Sequence, residues 1–159
     1  CVRKDKKMKV RRLPIMHEAT KSLVERYYEA YNTQDLEALE ALLADDVIFD
    51  VNRGQRESGK EAFVRCMRRN NSCYQEHIFD IEIMTNDDGS RAAAEFTVMG
   101  IYMGGNEAPG EEPPMDLNYR LPGGAFFEVE DGQIVRVSAN YNPQTLLAGQ
   151  MAQVLPRVA

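Results

Sequence analysis

Asp50 and Asn52 carry the polar groups best suited to chemistry in this 159-residue sequence. Their segment, residues 47–52, has the β-branched and aromatic side chains typical of a strand, and residues i and i+2 of a strand share one face. A carboxylate beside an amide can remove a proton from carbon while the amide hydrogen-bonds the enolate oxygen that forms. A lone aspartate near a strand end is also typical of turn capping or ion pairing, so both interpretations stay open.

Tyr27 is the third candidate, in an amphipathic helix predicted for residues 17–32. Apolar side chains recur there at intervals of three and four, at Leu23, Val24, Tyr27, Tyr28 and Tyr31. Beside Asp50, the Tyr27 hydroxyl could tune the pKa of that carboxyl or donate to a substrate carbonyl. A buried helix tyrosine is more often part of the core, with its hydroxyl hydrogen-bonded elsewhere.

Two further helices are predicted from their N-terminal residues. Asp35 is a plausible N-cap for a short helix over residues 36–43. The segment Ser58–Glu61 matches the capping box, in which the serine and glutamate side chains each satisfy a free backbone donor of a third helix. Both helices precede most of the strand-like sequence.

From residue 78 onward the apolar residues alternate with period two, which predicts strands joined at Asp87–Gly89 and Glu130–Gly132. Gly100 lies inside a long strand and predicts a bulge or bend. Helices in the first half and strands in the second predict an α+β fold, with helices on one face of a bent, mainly antiparallel sheet.

Charge and length limit the function classes. The chain has 19 basic and 25 acidic side chains and a net charge of −6, which argues against a general nucleic-acid or membrane-surface binder. Seven basic residues fall within residues 1–12, so we predict a mobile basic arm over residues 1–15. Residues 16–155 then form one domain, in which residues 104–117 are an acidic loop rich in glycine and proline.

No apolar run approaches the roughly 18 residues of a membrane span, and no segment resembles a secretion signal, so we expect a cytoplasmic protein without a membrane partner. The sequence has three cysteines and two histidines, and none has metal-ligand spacing. We therefore expect neither a metal nor another cofactor.

Several segments resemble one known superfamily. They are Leu23 to Asp35, Leu36 to Phe49, Ser58 to Phe63, Glu95 to Tyr102, Asp131 to Ile134 and Asn140 to Asn142. Together they are similar to the SnoaL-like branch of the nuclear transport factor 2 superfamily, and more narrowly to ketosteroid-isomerase-related bacterial proteins. The resemblance covers residues 17–148. It implies a cone in which a curved sheet wraps around a deep, mostly apolar pocket, with dimerisation through the outer face of the sheet.

The positions that ketosteroid isomerases use are matched only in part. Tyr27 matches the tyrosine of the first helix, but the proton-shuttling aspartate falls on Val51, one place after Asp50. The acid that helps to hold the dienolate oxygen falls on Gly124 or Ala125, so this chain lacks that hydrogen-bonding group.

Strand alternation adds a difficulty for the catalytic interpretation. If Phe49 and Val51 face the pocket, Asp50 and Asn52 face away from it, unless a bulge near Arg53 rotates them.

Epoxide hydrolases of the superfamily are a poorer match, because all five of their working positions are apolar in this chain. Those positions instead describe the wall of a pocket, with an asparagine and two tyrosines available to orient a ligand. The predicted ligand-binding residues are Phe49, Val51, Phe96, Val98, Tyr102, Ala139, Asn140 and Tyr141.

Three functional hypotheses follow. The first is an enzyme in which Asp50, with a pKa raised by apolar surroundings, moves a proton next to a carbonyl, assisted by Tyr27 and Asn52. The second is a non-catalytic binder of small hydrophobic molecules. The third is a protein-interaction scaffold of the transport-factor kind, which requires an exposed apolar patch. The expected partners are a small hydrophobic molecule and a second copy of the chain.

Overall fold

Helices and strands follow one another in the order predicted. The structure is a computed structural model that describes residues 3–51, 55–104 and 117–142, with side chains from residue 16 onward except that of Val51. The helices are α1 (Arg3–Asn32), α2 (Leu36–Ala41) and α3 (Lys60–Cys73). The strands are β1 (Leu43–Val51), β2 (Gln55–Ser58), β3 (Tyr74–Thr85), β4 (Arg91–Tyr102), β5 (Leu117–Glu130) and β6 (Gln133–Asn140).

The strands form one curved, open sheet in the order β2-β1-β6-β5-β4-β3. All neighbouring strands are antiparallel except β1 and β6, which are parallel. This arrangement confirms the predicted α+β fold with a bent, mainly antiparallel sheet. Because β3 is an edge strand, its outer backbone groups need another partner. The Asn32 side chain supplies one, since its amide bonds both the N–H and the carbonyl of Ile78 at 2.8 Å.

The two faces of the sheet have different environments. The inner face packs against the helices and carries the buried residues Ile78, Val98 and Phe127. Aromatic rings join α1 to this face, for example Tyr27 and Phe127, whose centroids are 5.2 Å apart in an edge-on arrangement. The outer face carries the alternate residues, which are mostly polar or partly exposed.

Caps and turns were predicted with mixed success. Asp35 caps α2 as predicted, because its carboxylate accepts the Ala38 backbone N–H at 3.0 Å. The capping box at Ser58 is wrong: Ser58 ends β2 opposite Ile48, and Gly59 occupies the N-cap of α3 at φ 99° without a side-chain bond. A positive φ is easily adopted by glycine, so the chain can enter the helix directly from the strand.

The predicted bulge at Gly100 is also wrong. Gly100 pairs in regular register with Glu76 on β3 and Tyr119 on β5. The irregularity lies instead in β3 between Phe79 and Glu82, where Asp80 has a φ of 51°. The tight turn between β5 and β6 is where the sequence predicted it, at Asp131 and Gly132, which both have positive φ.

Several predictions concern parts of the chain with limited description. Helix α1 begins at Arg3 and so includes most of the residues predicted to form a mobile basic arm. Residues 105–116 of the acidic loop, and the amphipathic piece predicted near the C-terminus, lie outside the described residues. The domain limits at residues 15 and 155 remain predictions.

Candidate active site

Glu76 is the one charged side chain that is buried among the residues the structure describes, with 8% of its surface exposed. It lies on the inner face of β3, and three tyrosine hydroxyls donate hydrogen bonds to its carboxylate. Tyr119 donates to Oε1 at 2.5 Å, whereas Tyr31 and Tyr141 donate to Oε2 at 2.7 Å and 2.9 Å. Burying a carboxylate is costly unless its oxygens find donors, and these hydroxyls provide them. We call these four residues the Glu76–tyrosine cluster.

Gly100 determines how Tyr119 reaches the carboxylate. Glu76, Gly100 and Tyr119 stand side by side on β3, β4 and β5. A Cβ built on Gly100 would overlap the Tyr119 ring, so the ring can cross β4 only because residue 100 has no side chain. This close approach, rather than a bulge, is the physical reason for glycine at this position.

Tyr141 is positioned by a second glycine. A Cβ on Gly123 would lie 2.6 Å from the Phe96 ring and 3.1 Å from the Tyr141 Cβ. The absence of that atom lets Phe96 pack edge-on against Tyr141, with ring centroids 5.8 Å apart. Tyr31 comes from the last turn of α1, and its hydroxyl lies 3.0 Å from that of Tyr141. The end of α1 and the residue that follows β6 therefore meet at Oε2 of Glu76.

The three tyrosine hydroxyls of the cluster are neutral hydrogen-bond donors. Burial is the largest cause that raises the pKa of Tyr31, Tyr119 and Tyr141 well above the ordinary value of 10.0, and the Glu76 carboxylate raises each further. The hydroxyls therefore keep their protons across the physiological range. Tyr119 is 5% exposed, whereas the Tyr31 and Tyr141 side chains, which bind Oε2, are partly buried.

Asp50 has an environment different from the one predicted. It faces away from its buried neighbour Phe49, and its carboxylate accepts a bond from Arg56 Nε at 2.9 Å and another from an Arg136 nitrogen at 3.3 Å. The predicted increase in pKa is wrong, because these bonds, with Arg56 contributing most, lower the pKa of Asp50 to about 2. Strand alternation is the physical reason for this environment, because it directs Asp50 to the face opposite that of Phe49.

Of the two proposed partners of Asp50, only Tyr27 lies within the described residues. Asn52 and the side chain of Val51 lie outside the described residues. Tyr27 is 6% exposed and packs between the rings of Tyr28 and Phe127. Burial raises its pKa above the ordinary value, and none of the hydrogen bonds found among the described residues joins Tyr27 to Asp50.

The predicted ligand-binding residues divide between the two faces. Phe49, Phe96, Val98 and Tyr102 are buried, and Ala139 is partly buried against them. Tyr141 joins the cluster at Glu76, whereas Asn140 is exposed and bonds the Ser138 carbonyl at 3.3 Å. An enclosed apolar pocket between these walls remains a prediction.

Sequence reasoning missed Glu76, Tyr31 and Tyr119 as site residues. Tyr31 was recognised only as part of a helix face, and β3 was expected to begin at residue 78. A strand beginning at Tyr74 places Glu76 on the same face as Tyr74 and Ile78, and this alternation is the signal that could have found it.

The described residues contain no group of three or more histidine, cysteine or carboxylate side chains arranged to hold a metal ion. None of the described helices is long and apolar enough to cross a membrane.

The comparisons with known proteins agree with this architecture. The model of the SnoaL-like domain matches residues 24–137. The chain belongs to the SnoaL-like domain family. The superfamily resemblance found in the sequence is thereby confirmed. No curated protein matches the chain.

Solved structures extend the comparison. A protein of Xanthomonas campestris, provisionally described as a polyketide cyclase, is 43% identical, with 84% of this chain and 97% of that chain covered at a TM-score of 0.75. A Pseudomonas putida protein described in the same way is 45% identical, with 82% and 96% covered at 0.73. A provisional ketosteroid isomerase of Kribbella flavida is 26% identical, with 80% and 83% covered at 0.54.

The charge state of Asp50 gives the first testable prediction. A carboxyl whose pKa is lowered on folding stabilises the protein above its unfolded pKa, and that contribution is lost as the pH falls through the folded value. Asp50→Asn should lower the free energy of unfolding at pH 7 by about 1 kcal/mol. The difference from wild type should shrink as the pH falls from the ordinary pKa of 3.8 toward about 2.

Urea denaturation at several pH values measures this effect. Asp46→Asn is the matched control, because Asp46 is an exposed aspartate of the same strand and should change stability by less than about 0.5 kcal/mol. A difference for Asp50→Asn that stays constant from pH 7 to pH 2 would show that its carboxylate is not stabilised by the arginines.

Proposed function

We propose that this protein is an enzyme that moves a proton at the carbon next to a carbonyl group of a small apolar substrate, with Glu76 as the base. The observation that carries the proposal is the buried Glu76 carboxylate, one oxygen of which accepts hydrogen bonds from two tyrosine hydroxyls. A base and neutral donors at one point are the groups that enolisation requires. The provisional cyclase and isomerase descriptions of similar proteins support the same class of reaction.

The first step is proton removal. Oε2 of Glu76 takes the proton from the substrate carbon, the C–H electron pair forms a carbon–carbon double bond, and the carbonyl π pair moves to oxygen. Tyr31 or Tyr141 turns its hydroxyl from Glu76 to the enolate oxygen, where the new negative charge lies. Tyr119 stays on Oε1, and we assign it as a positioning residue because its buried ring is held over Gly100.

The second step returns the proton. In an isomerisation, Glu76 gives it to another carbon of the same enolate. In a cyclisation, the enolate carbon attacks a second carbonyl of the same molecule, and Glu76 protonates the new alkoxide. Both reactions conserve all atoms of the substrate and need neither an oxidant nor a reductant, so the proposal includes no cofactor.

Glu76 replaces Asp50 in this mechanism. A carboxylate whose pKa is lowered to about 2 by two arginines is a weak base toward a carbon-bound proton. Asp50 is also on the outer face, whereas Phe49, Phe96 and Val98 belong to the apolar wall that we propose for the substrate. Asp50 therefore contributes to stability in this account.

A non-catalytic binder is the second candidate. The observation that favours it is the apolar character of Phe96, Val98 and Ala139, three positions at which epoxide hydrolases of the superfamily carry polar working groups. In this case the cluster would hold the aromatic rings in place and a bound carbonyl compound would not react. Turnover separates the two candidates.

We also propose that the protein is a homodimer through the outer face of the sheet. Met84, Ala93 and Phe126 stand side by side on β3, β4 and β5, and Met84 and Phe126 are 54% and 61% exposed. A contiguous apolar row of this kind favours association with another surface.

The catalytic proposal predicts that Glu76→Gln lowers kcat about 10²-fold to 10⁴-fold, because an amide cannot accept the substrate proton. The assay follows conversion of a β,γ-unsaturated ketone, 3-cyclohexen-1-one or a Δ5-3-ketosteroid, to the conjugated isomer. Glu82→Gln is the matched control, since Glu82 is an exposed glutamate of the same strand. It should retain wild-type turnover, as should Asp50→Asn.

Two results would contradict the proposal. One is undiminished turnover by Glu76→Gln. The other is tight binding of the ketones, abolished by Glu76→Gln, without any wild-type conversion, which would identify the protein as a binder.

The dimer proposal predicts that Phe126→Glu makes the protein monomeric while its circular dichroism spectrum stays unchanged. Light scattering after gel filtration at about 10 μM measures the mass. Met16→Glu is the control, because Met16 is 52% exposed on α1 and lies on another element. A monomeric wild type, or a dimeric Phe126→Glu variant, would show that this row is not the interface.

A further inference from the structure

A cavity of about 880 Å³ lies at the end of the sheet where β3 and β5 begin and β4 ends. We call it the outer groove. Glu76, Gly100 and Tyr119 border it. Six other lining residues alternate with these three along the strands, so their side chains point to the outer face. They are Gln75 and His77 on β3, Met99 and Ile101 on β4, and Asn118 and Arg120 on β5. Asn32, Thr33 and Gln34, at the end of α1, border the groove beside β3.

The strand register arranges these side chains in two rows. Gln75, Ile101 and Asn118 stand in one row across the three strands, and His77, Met99 and Arg120 stand in the next. The floor on β4 is thus apolar, whereas the walls on β3 and β5 can donate hydrogen bonds. Binding sites commonly combine an apolar surface with a few polar groups of this kind.

Arg120 is held over the groove by an aromatic ring. Its guanidinium carbon lies 5.1 Å from the centroid of the Phe79 ring, so the side chain crosses β4 diagonally. Stacking on a ring uses the face of the guanidinium and leaves its N–H donors at the edge. In the described part of the chain none of the ion pairs includes Arg120, although Arg56, Arg91 and Arg136 on the same sheet all have carboxylate partners.

We propose that the outer groove is a second binding site, which takes a small carboxylate with an apolar body. The guanidinium of Arg120 donates two parallel bonds to the carboxylate, His77 lies in the same row, and the apolar body covers Met99 and Ile101. The amides of Gln75 and Asn118 flank the ligand. Glu76 and Tyr119 border the groove, but the side chains that we assign to this ligand lie outside the Glu76–tyrosine cluster.

The occupant follows from the groups that line the groove. An apolar partner surface would bury the amides and Arg120 without partners, which is unfavourable. Met84 and Phe126, the exposed apolar residues proposed for the dimer, lie toward the other end of the same strands. A carboxylate with an apolar body satisfies both Met99, which is 52% exposed, and the Arg120 guanidinium, which has no ion pair with another described residue.

The test uses 4-phenylbutyrate as the probe and 4-phenyl-1-butanol as its neutral counterpart, with binding measured by calorimetry on the full chain. A ligand of this size should bind the wild type with a Kd on the order of 10⁻⁴ to 10⁻³ M, and the alcohol at least about tenfold more weakly. Arg120→Gln should weaken binding of the acid about tenfold or more, and Arg120→Lys by less, because lysine keeps the charge without the planar fork.

One control variant locates the binding. Arg68→Gln removes an exposed arginine of α3 and should leave the affinity unchanged. Equal affinity of wild type and Arg120→Gln would overturn the proposal. A wild-type dimer that Arg120→Gln converts to monomer would show instead that a second copy of the chain fills the groove.

Discussion

The burial of one carboxylate is the constraint on which the site depends. A carboxylate removed from water loses several kcal/mol unless hydrogen bonds offset the loss, and Glu76 is 8% exposed. Three tyrosine hydroxyls surround it, from α1, from β5 and from the residue that follows β6. Since these parts of the chain are far apart in sequence, the carboxylate can be satisfied only when the sheet has formed and α1 has docked on it.

Two glycines make this arrangement sterically possible. Gly100 leaves room for the Tyr119 ring to cross β4, and Gly123 leaves room for Phe96 beside Tyr141. The same sheet holds another acid, Asp50, under opposite conditions: it faces outward, and two arginines keep it ionised. The face that each carboxylate occupies therefore decides its chemistry. The outer face supports ion pairs, whereas the inner face holds an acid among neutral donors.

The sequence predicts the fold better than it predicts the site. Alternation, Asp35 and the Asp131–Gly132 turn depend on local rules, and family resemblance supplied the curved sheet. The contacts at Glu76 depend on tertiary register: Tyr31 is 45 residues away and Tyr141 is 65. Gly100 illustrates the limit of local rules. A glycine inside a strand is compatible with a bulge or with an aromatic ring packed against the backbone, and only the neighbouring strands decide which. Asp50 was chosen as a catalytic candidate from its residue type, but Arg136, one of the arginines that bind it, is 86 residues away.

The most direct test of this account is a double-mutant cycle between Glu76 and Tyr119, measured as free energies of unfolding in urea. The variants are Glu76→Leu, Tyr119→Phe and the pair. If the tyrosine hydroxyl compensates a buried carboxylate, the two changes should couple by about 1.5–3 kcal/mol, as expected for a hydrogen bond to a charged group. Free energies that add to within about 0.5 kcal/mol would contradict the account, because Glu76 would then be solvated without help from Tyr119.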